Sequence, residues 1–520
     1  MKRIGIDVGG TNTDTVLLDG NKVVAAVKTP TTRDVLSGVA AGIARLKSSA
    51  GEAADAVDAV MIGTTHFTNA VVERRNLMRV GALRICLPSC ASLEPTVDWP
   101  EDLRAAVDPV SVMVAGGHEY DGRSIVDLDE TAVRDAVRRM QDTGIGSIGI
   151  TAVFSPLSNE VEVRAREIVQ DVCPEMIVTC SHEVGRIGLL ERENVTLLNA
   201  SLVAHGRSTV AAFRQALEQS GLTAPFYLTQ NDGTVMLAEQ AARFPVFSFA
   251  SGPTNSMRGA AFLSGIENAV VVDVGGTTSD IGYLVNGFPR EANNIVHIGG
   301  VRTLFQMPDL VSLGIGGGSI VSEKTRVAGP RSVGFRLAEE ALVFGGSTLT
   351  LTDIGVAAGL VELGEKERIA HLDRSTVTGV LESIRRRLED AVDRMKTSPD
   401  PVPLIAVGGG AFLVPSKMDG VSEVLRPGPG NVANAIGAAS ALVSGEVDRV
   451  VADIDRELAM ADAEALARER AVASGADGDT LKVIEIDDIP LAYLPGNARR
   501  VRVRVAGEIR RRSGMLKAAE

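Results

Sequence analysis

The octamer DVGGTNTD at residues 7–14 returns as DVGGTTSD at residues 273–280, with six of its eight letters unchanged. The flanks repeat the same frame. RIGIDV leads into the first copy as an alternating strand, GGTNTD turns the chain and TVLLD returns. DGN at 19–21 then signals a tight hairpin, and KVVAAVKT makes a third strand. In the second copy AVVVDV leads in, GGTTSD turns, IGYLV returns, NG at 286–287 turns again and FPREANNIVHI continues the path. The repeated unit is a three-strand meander. Its copies stand about half a chain apart, much too far for a solenoid period. The chain is therefore expected to form two related lobes, each opening with one meander.

A strand that ends in Asp and runs into Gly-Gly-Thr handles phosphate well. Gly9, Gly10, Gly275 and Gly276 let the backbone approach an anion, and successive N–H groups form an anion-binding nest. Thr11, Thr13, Thr277 and Thr278 add hydroxyl donors. Asp7 and Asp273 stand at strand ends, where a carboxylate can hold hydrated Mg²⁺ or Mn²⁺. Two such turns facing each other would grip one polyphosphate from both sides. A third turn, VGGGAFL at 407–413, follows a strand, and Gly408, Gly409 and Gly410 offer bare backbone to an adenosine. These turns are neither the G-x-x-x-x-G-K-[ST] loop nor the G-x-G-x-x-G dinucleotide turn.

The rest of the chain reads as alternating strands and helices. A helix is expected over 129–144, a buried strand over 145–155, a helix over 160–173 and a strand at MIVTCS. Further helices are expected near 377–397, 431–443 and 450–473, with strands near 404–407, 481–486 and 499–506. Such alternation predicts sheets with helices packed on their faces. In RRVRVRV, Arg500, Arg502 and Arg504 alternate with Val501, Val503 and Val505, which reads as a charged edge strand with a solvated basic face. The net charge of −13 speaks against a nucleic-acid partner. The four cysteines form no C-x-x-C pair, the start lacks an apolar leader, and no 18-residue apolar run occurs. A cytoplasmic protein with free thiols and no membrane span is expected.

Taken together, the stretches GIDVGGTNTDTVLLD, GTTHFTNAVVERR, HEYDGR, FSPLSNEVE, LLERENVTLLNASL, QNDGT, SGPTNSMRGA, DVGGTTSDIG, LGIGGGSI and VGGGAFL resemble the hydantoinase/oxoprolinase family, HyuA type. That family is a branch of the actin, Hsp70 and sugar-kinase superfamily. The resemblance implies an α/β fold of two ribonuclease-H-like lobes closing on Mg-ATP, with a small α+β C-terminal region. It divides the chain at 1–185, 186–445 and 446–520. Full-length relatives are longer by on the order of 150 residues, a domain's worth of chain. The implied reaction is ATP-dependent phosphorylation of a cyclic amide, hydantoin, 5-oxoproline or a related lactam. A HyuB-like partner subunit then completes ring opening in an oligomeric assembly. Asp7 and Asp273 are assigned to the metal, and Asp14 and Asp280 to orienting the nucleophile or a water. His66, Asn69, His118, Glu119, Asn231, Asp232, Gly316 and Gly317 are candidates for the substrate side of the cleft. Two other readings use the same fold: a small-molecule kinase that releases a phosphorylated product, and a nucleotide-switched assembly protein.

Overall fold

The computed structural model describes residues 1–9, 12–31, 35–54, 56–292, 295–492 and 496–511. Both meanders form as antiparallel ladders. In the first, Lys2–Val8 pairs with Asn12–Asp19, which pairs with Lys22–Pro30. In the second, the β-branched run Ala269–Val274 pairs with Ser279–Val285. The registers match: Asp7 stands opposite Asp14, and Asp273 opposite Asp280.

Each meander nucleates its own sheet. The first sheet has nine strands, ordered Lys482–Pro490, Arg499–Gly507, Val443–Val451, Val235–Leu237, Phe226–Thr229, Ala59–Thr64, Lys2–Val8, Asn12–Asp19, Lys22–Pro30. The second has six, ordered Phe288–Pro289, Ser279–Val285, Ala269–Val274, Val402–Val407, Val421–Leu425, with Leu310–Leu313 also on Ser279–Val285. The third strand expected from FPREANNIVHI ends after Phe288–Pro289, and Leu310–Leu313 takes the place beside the return strand. Val296–Ile298 and Val301–Thr303 pair with each other instead. Their Ile298 and Val301, with Phe305 and Met307, are buried in the first lobe's core, which binds this segment of chain across the lobes.

A four-stranded parallel sheet, Val110–Ala115, Gly81–Leu87, Ser147–Ala152, Ile177–Cys180, is inserted in the first lobe. Its helices appear where periodicity placed them. Glu130–Asp142 starts at Asp129, whose carboxylate accepts the Ala132 N–H at 2.9 Å. Glu160–Val172 follows. Between this sheet and the main one runs Leu189–Gln219, whose stretch from Arg192 to Val203 is buried throughout. In the second lobe Arg374–Met395 presents Ile384, Leu388 and Val392 to the sheet.

Two helices cross between the lobes, Ser251–Ser264 and Ala433–Ser440. They touch through glycine. A Cβ on Gly437 would stand 1.8 Å from the Asn255 carbonyl oxygen, and one on Gly259 2.0 Å from that of Ala433. Ala433–Ser440 also lies on the first hairpin, where a Cβ on Gly5 would meet the Ala435 oxygen at 2.0 Å. Ser251–Ser264 lies on the second, with Met257 against Gly282.

The basic strand departs from its sequence reading. Arg499–Gly507 is flanked on both sides, by Val443–Val451 and Lys482–Pro490, so it is not an edge. Its Arg502 and Arg504 are 3% and 4% exposed. Arg502 meets Glu446 at 2.7 Å and also Glu291; Arg504 meets Asp232 at 3.2 Å and Glu485 at 3.1 Å. The acids that bury these guanidinium groups come from distant parts of the chain, which strand periodicity does not register. Cys86, Cys90, Cys173 and Cys180 are free thiols. Among the described residues no helix is long and apolar enough to cross a membrane.

Candidate active site

The two turns are closed by the same bond: Gly9 N–H donates to the Asn12 oxygen at 3.1 Å, and Gly275 N–H to the Thr278 oxygen at 2.9 Å. Gly10 and Thr11 lie outside the described residues. Gly276, Thr277 and Thr278 are exposed at the tip of the second turn. Thr13 is fully buried, and its hydroxyl is turned toward Thr31 at 3.3 Å. Two glycine loops brace the second turn from behind. Gly317 N–H donates to the Gly275 oxygen at 3.0 Å and Gly318 N–H to that of Gly276 at 2.7 Å, while a Cβ on Gly316 would reach 2.5 Å from Thr277 N. Gly316 and Gly317 are buried, so they sit behind the second turn. Gly408, at φ +86, has its Cβ position 2.3 Å from Asp273 Oδ1, and Gly410 N–H donates to the Val274 oxygen at 2.8 Å. Gly409 is exposed with open space where a Cβ would stand.

The crossing helices join the turns chemically. Asn434 Nδ2 donates to Asp7 Oδ2 at 3.3 Å, and the Ser256 hydroxyl lies between Asn434 Oδ1 and Asp273 Oδ2. A continuous chain, Asp7–Asn434–Ser256–Asp273, therefore spans both lobes. Ser256 has one proton and faces two acceptors, so the chain is fully satisfied only when Asp273 carries a proton of its own. Burial, then the Asp14 charge, pushes Asp7 up to about 7. Burial and then the Asp280 charge push Asp273 up to about 6. Burial also raises Asp14 and Asp280; Lys28 opposes it at Asp14, 2.8 Å away, and the Ser312 hydroxyl opposes it at Asp280. Asn255 Nδ2 and Asp7 Oδ1 both border Gly63, 2.3 and 2.7 Å from where a Cβ there would stand, and the buried Asn255 Oδ1 has no hydrogen-bond partner among the described residues. Four carboxyls, Asp7 and Asp14 buried and Asp273 and Asp280 partly buried, against one ammonium make an oxygen donor set that fits a hard divalent cation.

The remaining sequence candidates divide. His66 is half-buried with Nδ1 on the Thr64 hydroxyl, and burial, then His205, pushes it down to about 4, so its ring is neutral. Asn69 is exposed on the helix His66–Val72. Asn231 is a brace: its Nδ2 donates to the Val246 oxygen at 3.1 Å and its Oδ1 accepts the Ala250 N–H at 2.8 Å, ahead of the Ser251–Ser264 helix. Asp232 accepts from Thr234 and pairs with Arg504. His118 is buried and Glu119 exposed in the loop that closes on Arg123. Sequence reasoning did not single out Ser256, Asn255, Asn434 or Lys28. Ser256 and Asn255 lie inside SGPTNSMRGA, and Asn434 inside the predicted 431–443 helix, but nothing local marks them as facing the hairpins.

Residues 3–173 match the family described as hydantoinase/oxoprolinase N-terminal region, and residues 192–398 match hydantoinase/oxoprolinase. The chain is 30% identical over 395 residues to the acetophenone carboxylase gamma subunit of Aromatoleum aromaticum, covering 69% of this chain and 53% of that protein. It is 28% identical over 389 residues to the caprolactamase subunit alpha of Pseudomonas jessenii, covering 70% and 55%. It is 26% identical over 401 residues to the acetone carboxylase beta subunit of Xanthobacter autotrophicus, covering 68% and 54%. The chain thus spans about half the length of these curated relatives. In fold it is similar to the ATP-dependent caprolactamase from Pseudomonas jessenii, with TM-score 0.79, 20% identity and coverage of 98% of this chain and 88% of that one. It is also similar to nucleotide-free acetone carboxylase, with TM-score 0.66, 19% identity and the same coverages. With two family matches spread over its two hairpin-bearing lobes, this chain belongs to the hydantoinase/oxoprolinase family and has the actin-like ATPase fold.

Proposed function

We propose that this chain is the nucleotide-binding subunit of an ATP-dependent enzyme that activates the carbonyl oxygen of a small cyclic amide, such as hydantoin, 5-oxoproline or a related lactam. The observation that carries this reading is the Asp7–Asn434–Ser256–Asp273 chain linking two phosphate turns on opposite lobes. An amide carbonyl is a poor electrophile. Transfer of the γ-phosphoryl group to its oxygen, with loss of the N–H proton and of ADP, leaves an imidate with a good leaving group. Addition of water to the imidate carbon, with the ring nitrogen taking up a proton and leaving as the amine, opens the ring to an acyl phosphate, which a second water hydrolyses to carboxylate and phosphate. Phosphoryl transfer asks the protein mainly for positioning and charge neutralisation. Asp7 and Asp273 would hold Mg²⁺, which supplies positive charge to the phosphates. The exposed tip Gly276–Thr278 and the Gly9 turn would hold phosphate, Gly408–Gly410 would pass the adenosine, and Asp14 and Asp280 would orient the attacking group.

The relatives support the coarser statement. They are named as lactamase and carboxylase subunits, and lactams and ketones share a carbonyl. They are also named as subunits, which supports a partner that finishes the reaction.

The test is ADP release by the purified chain with hydantoin, 5-oxoproline, a lactam, acetone or acetophenone, before and after a candidate partner subunit is added. Amide-stimulated ADP release and a ring-opened product that needs the partner are expected. A stable phosphoester product would convert the reading to a kinase. Stimulation by ketones alone would reject the amide.

A further inference from the structure

We propose that the Lys28 ammonium binds the terminal phosphate of the nucleotide and gives this site its preference for a triphosphate over a diphosphate. The proposal rests on the function proposed above, in which one nucleotide lies between the two turns.

The two hairpins are not chemically equal. In the first lobe the strand beside the return strand is Lys22–Pro30, which sets Lys28 opposite Asp14. In the second lobe Leu310–Leu313 holds that place and sets Ser312 opposite Asp280. Asp14 is therefore given an ammonium, and Asp280 only the Ser312 hydroxyl, which donates to its Oδ1. Lys28 Nζ donates to Asp14 Oδ2 at 2.9 Å and lies 2.8 Å from Oδ1. An ammonium has three donors, and among the described residues Asp14 is the one group to which Nζ donates. The Asp14 side chain is 10% exposed and that of Lys28 40%, so the ammonium stands on the open side of the pair with donors to spare.

Its charge also reaches the other lobe. Burial raises Asp273, and Lys28 opposes that rise from across the lobes. Among the described residues no other ion pair involves Asp7, Asp14, Asp273 or Asp280. A triphosphate remains anionic after it has taken up Mg²⁺, so its reacting end, brought among these carboxyls, needs a further cation. Lys28 is the group placed to supply it. Its height above the first turn is fixed by short links: Thr31 Oγ1 donates to the Gly9 oxygen at 2.8 Å and Thr29 Oγ1 to the Thr13 oxygen at 3.2 Å. The Gly408–Gly410 turn, assigned above to the adenosine, is braced on Val274 of the second lobe. Lys28 comes from the first lobe, on the far side of the cleft, which is where the terminal phosphate of such a nucleotide would end. Asp14 acts as the positioning residue that aims Lys28.

The experiment measures, by calorimetry on the full chain with Mg²⁺, the affinities for ADP and for the non-hydrolysable β,γ-imido analogue of ATP. Lys28→Met should weaken binding of the analogue about tenfold or more and change that of ADP much less. The same comparison is made between Asp14→Asn and Asp14→Asn with Lys28→Met, a pair in which no buried carboxylate is stranded and folding is not at stake. The selective loss should persist there. Equal losses for the two nucleotides, or a loss that disappears in the Asp14→Asn background, would reduce Lys28 to a partner of Asp14 and overturn the inference while the proposed function stands. Failure of the unaltered chain to bind either nucleotide would overturn the proposed function, and this assignment with it.

Discussion

Asp7 shows at single-residue scale what burial between the lobes does to a carboxyl. It is raised from an ordinary 3.8 to about 7, and Asp273 from 3.8 to about 6, mainly by burial. The native protein thus keeps protons that the unfolded chain has released between pH 4 and 7. Stability from these groups is full below about 4 and is lost as pH rises through 6 to 7, with a slope of at most about 1.4 kcal/mol per pH unit for each. In metal-free protein, Asp7→Asn should flatten this decline relative to wild type in thermal unfolding followed against pH; parallel curves would reject the shift. Mg²⁺ competes with the same protons, so it should stabilise more at pH 8 than at pH 5, and EDTA should weaken ATP binding in calorimetry. ATP affinity that ignores EDTA would remove Asp7 and Asp273 as metal ligands. For turnover, Asp7→Asn and Asp280→Asn should each lower ATP hydrolysis by about 10²–10³ with circular dichroism unchanged. Undiminished hydrolysis in both would sink the site.

Among the elements, the crossing helices set the distance between the turns. Gly437→Ala places a methyl 1.8 Å from the Asn255 oxygen, a backbone atom with no freedom to swing aside. The helices must separate, at a cost of about 1–3 kcal/mol. Because Ser256 and Asn434 ride on these helices, ATP affinity should fall as well. A variant of unchanged melting temperature and unchanged affinity would show that the crossing is not tight. The strand Arg499–Gly507 makes a second test. Arg504→Met leaves Asp232 buried without its cation and should cost about 3–5 kcal/mol. Arg504→Met combined with Asp232→Leu should recover much of that loss. Equal destabilisation in the single and double variants would deny the pair its part in stability.

Across the whole molecule, the two lobes are built on separate sheets. Val296–Thr303 leaves the second lobe and buries Ile298 and Val301 in the first, while Glu291 meets Arg186 and Arg502. The lobes are tied by covalent chain, by the crossing helices and by this ion network, so closure on a nucleotide must work against all three. ADP or a non-hydrolysable ATP analogue should therefore protect the isolated chain, reducing hydrogen exchange at 7–14, 273–280 and 433–440 together. Protection confined to one hairpin would argue against closure as a unit.

The repeated turns were legible because their chemistry is local. Asp, two glycines and hydroxyl residues at fixed spacing dictate a strand end and a turn, and the matching register of Asp7 with Asp14 and Asp273 with Asp280 follows from the hairpin itself. The inserted sheet's helices were legible for the same reason, through caps and periodicity. Non-local partnerships were not. The alternation in RRVRVRV predicts a strand in either case, yet only the approach of Asp232, Glu291, Glu446 and Glu485 turns its basic face inward. Ser256 and Asn434 carry no local sign of function, and they matter because two helices cross through glycine at that point. Sequence by itself determined the two repeated turns, since strand and turn propensities act over a few residues. Tertiary structure alone decided which buried charges meet, because desolvation makes each such group depend on whichever partner the folded chain brings to it.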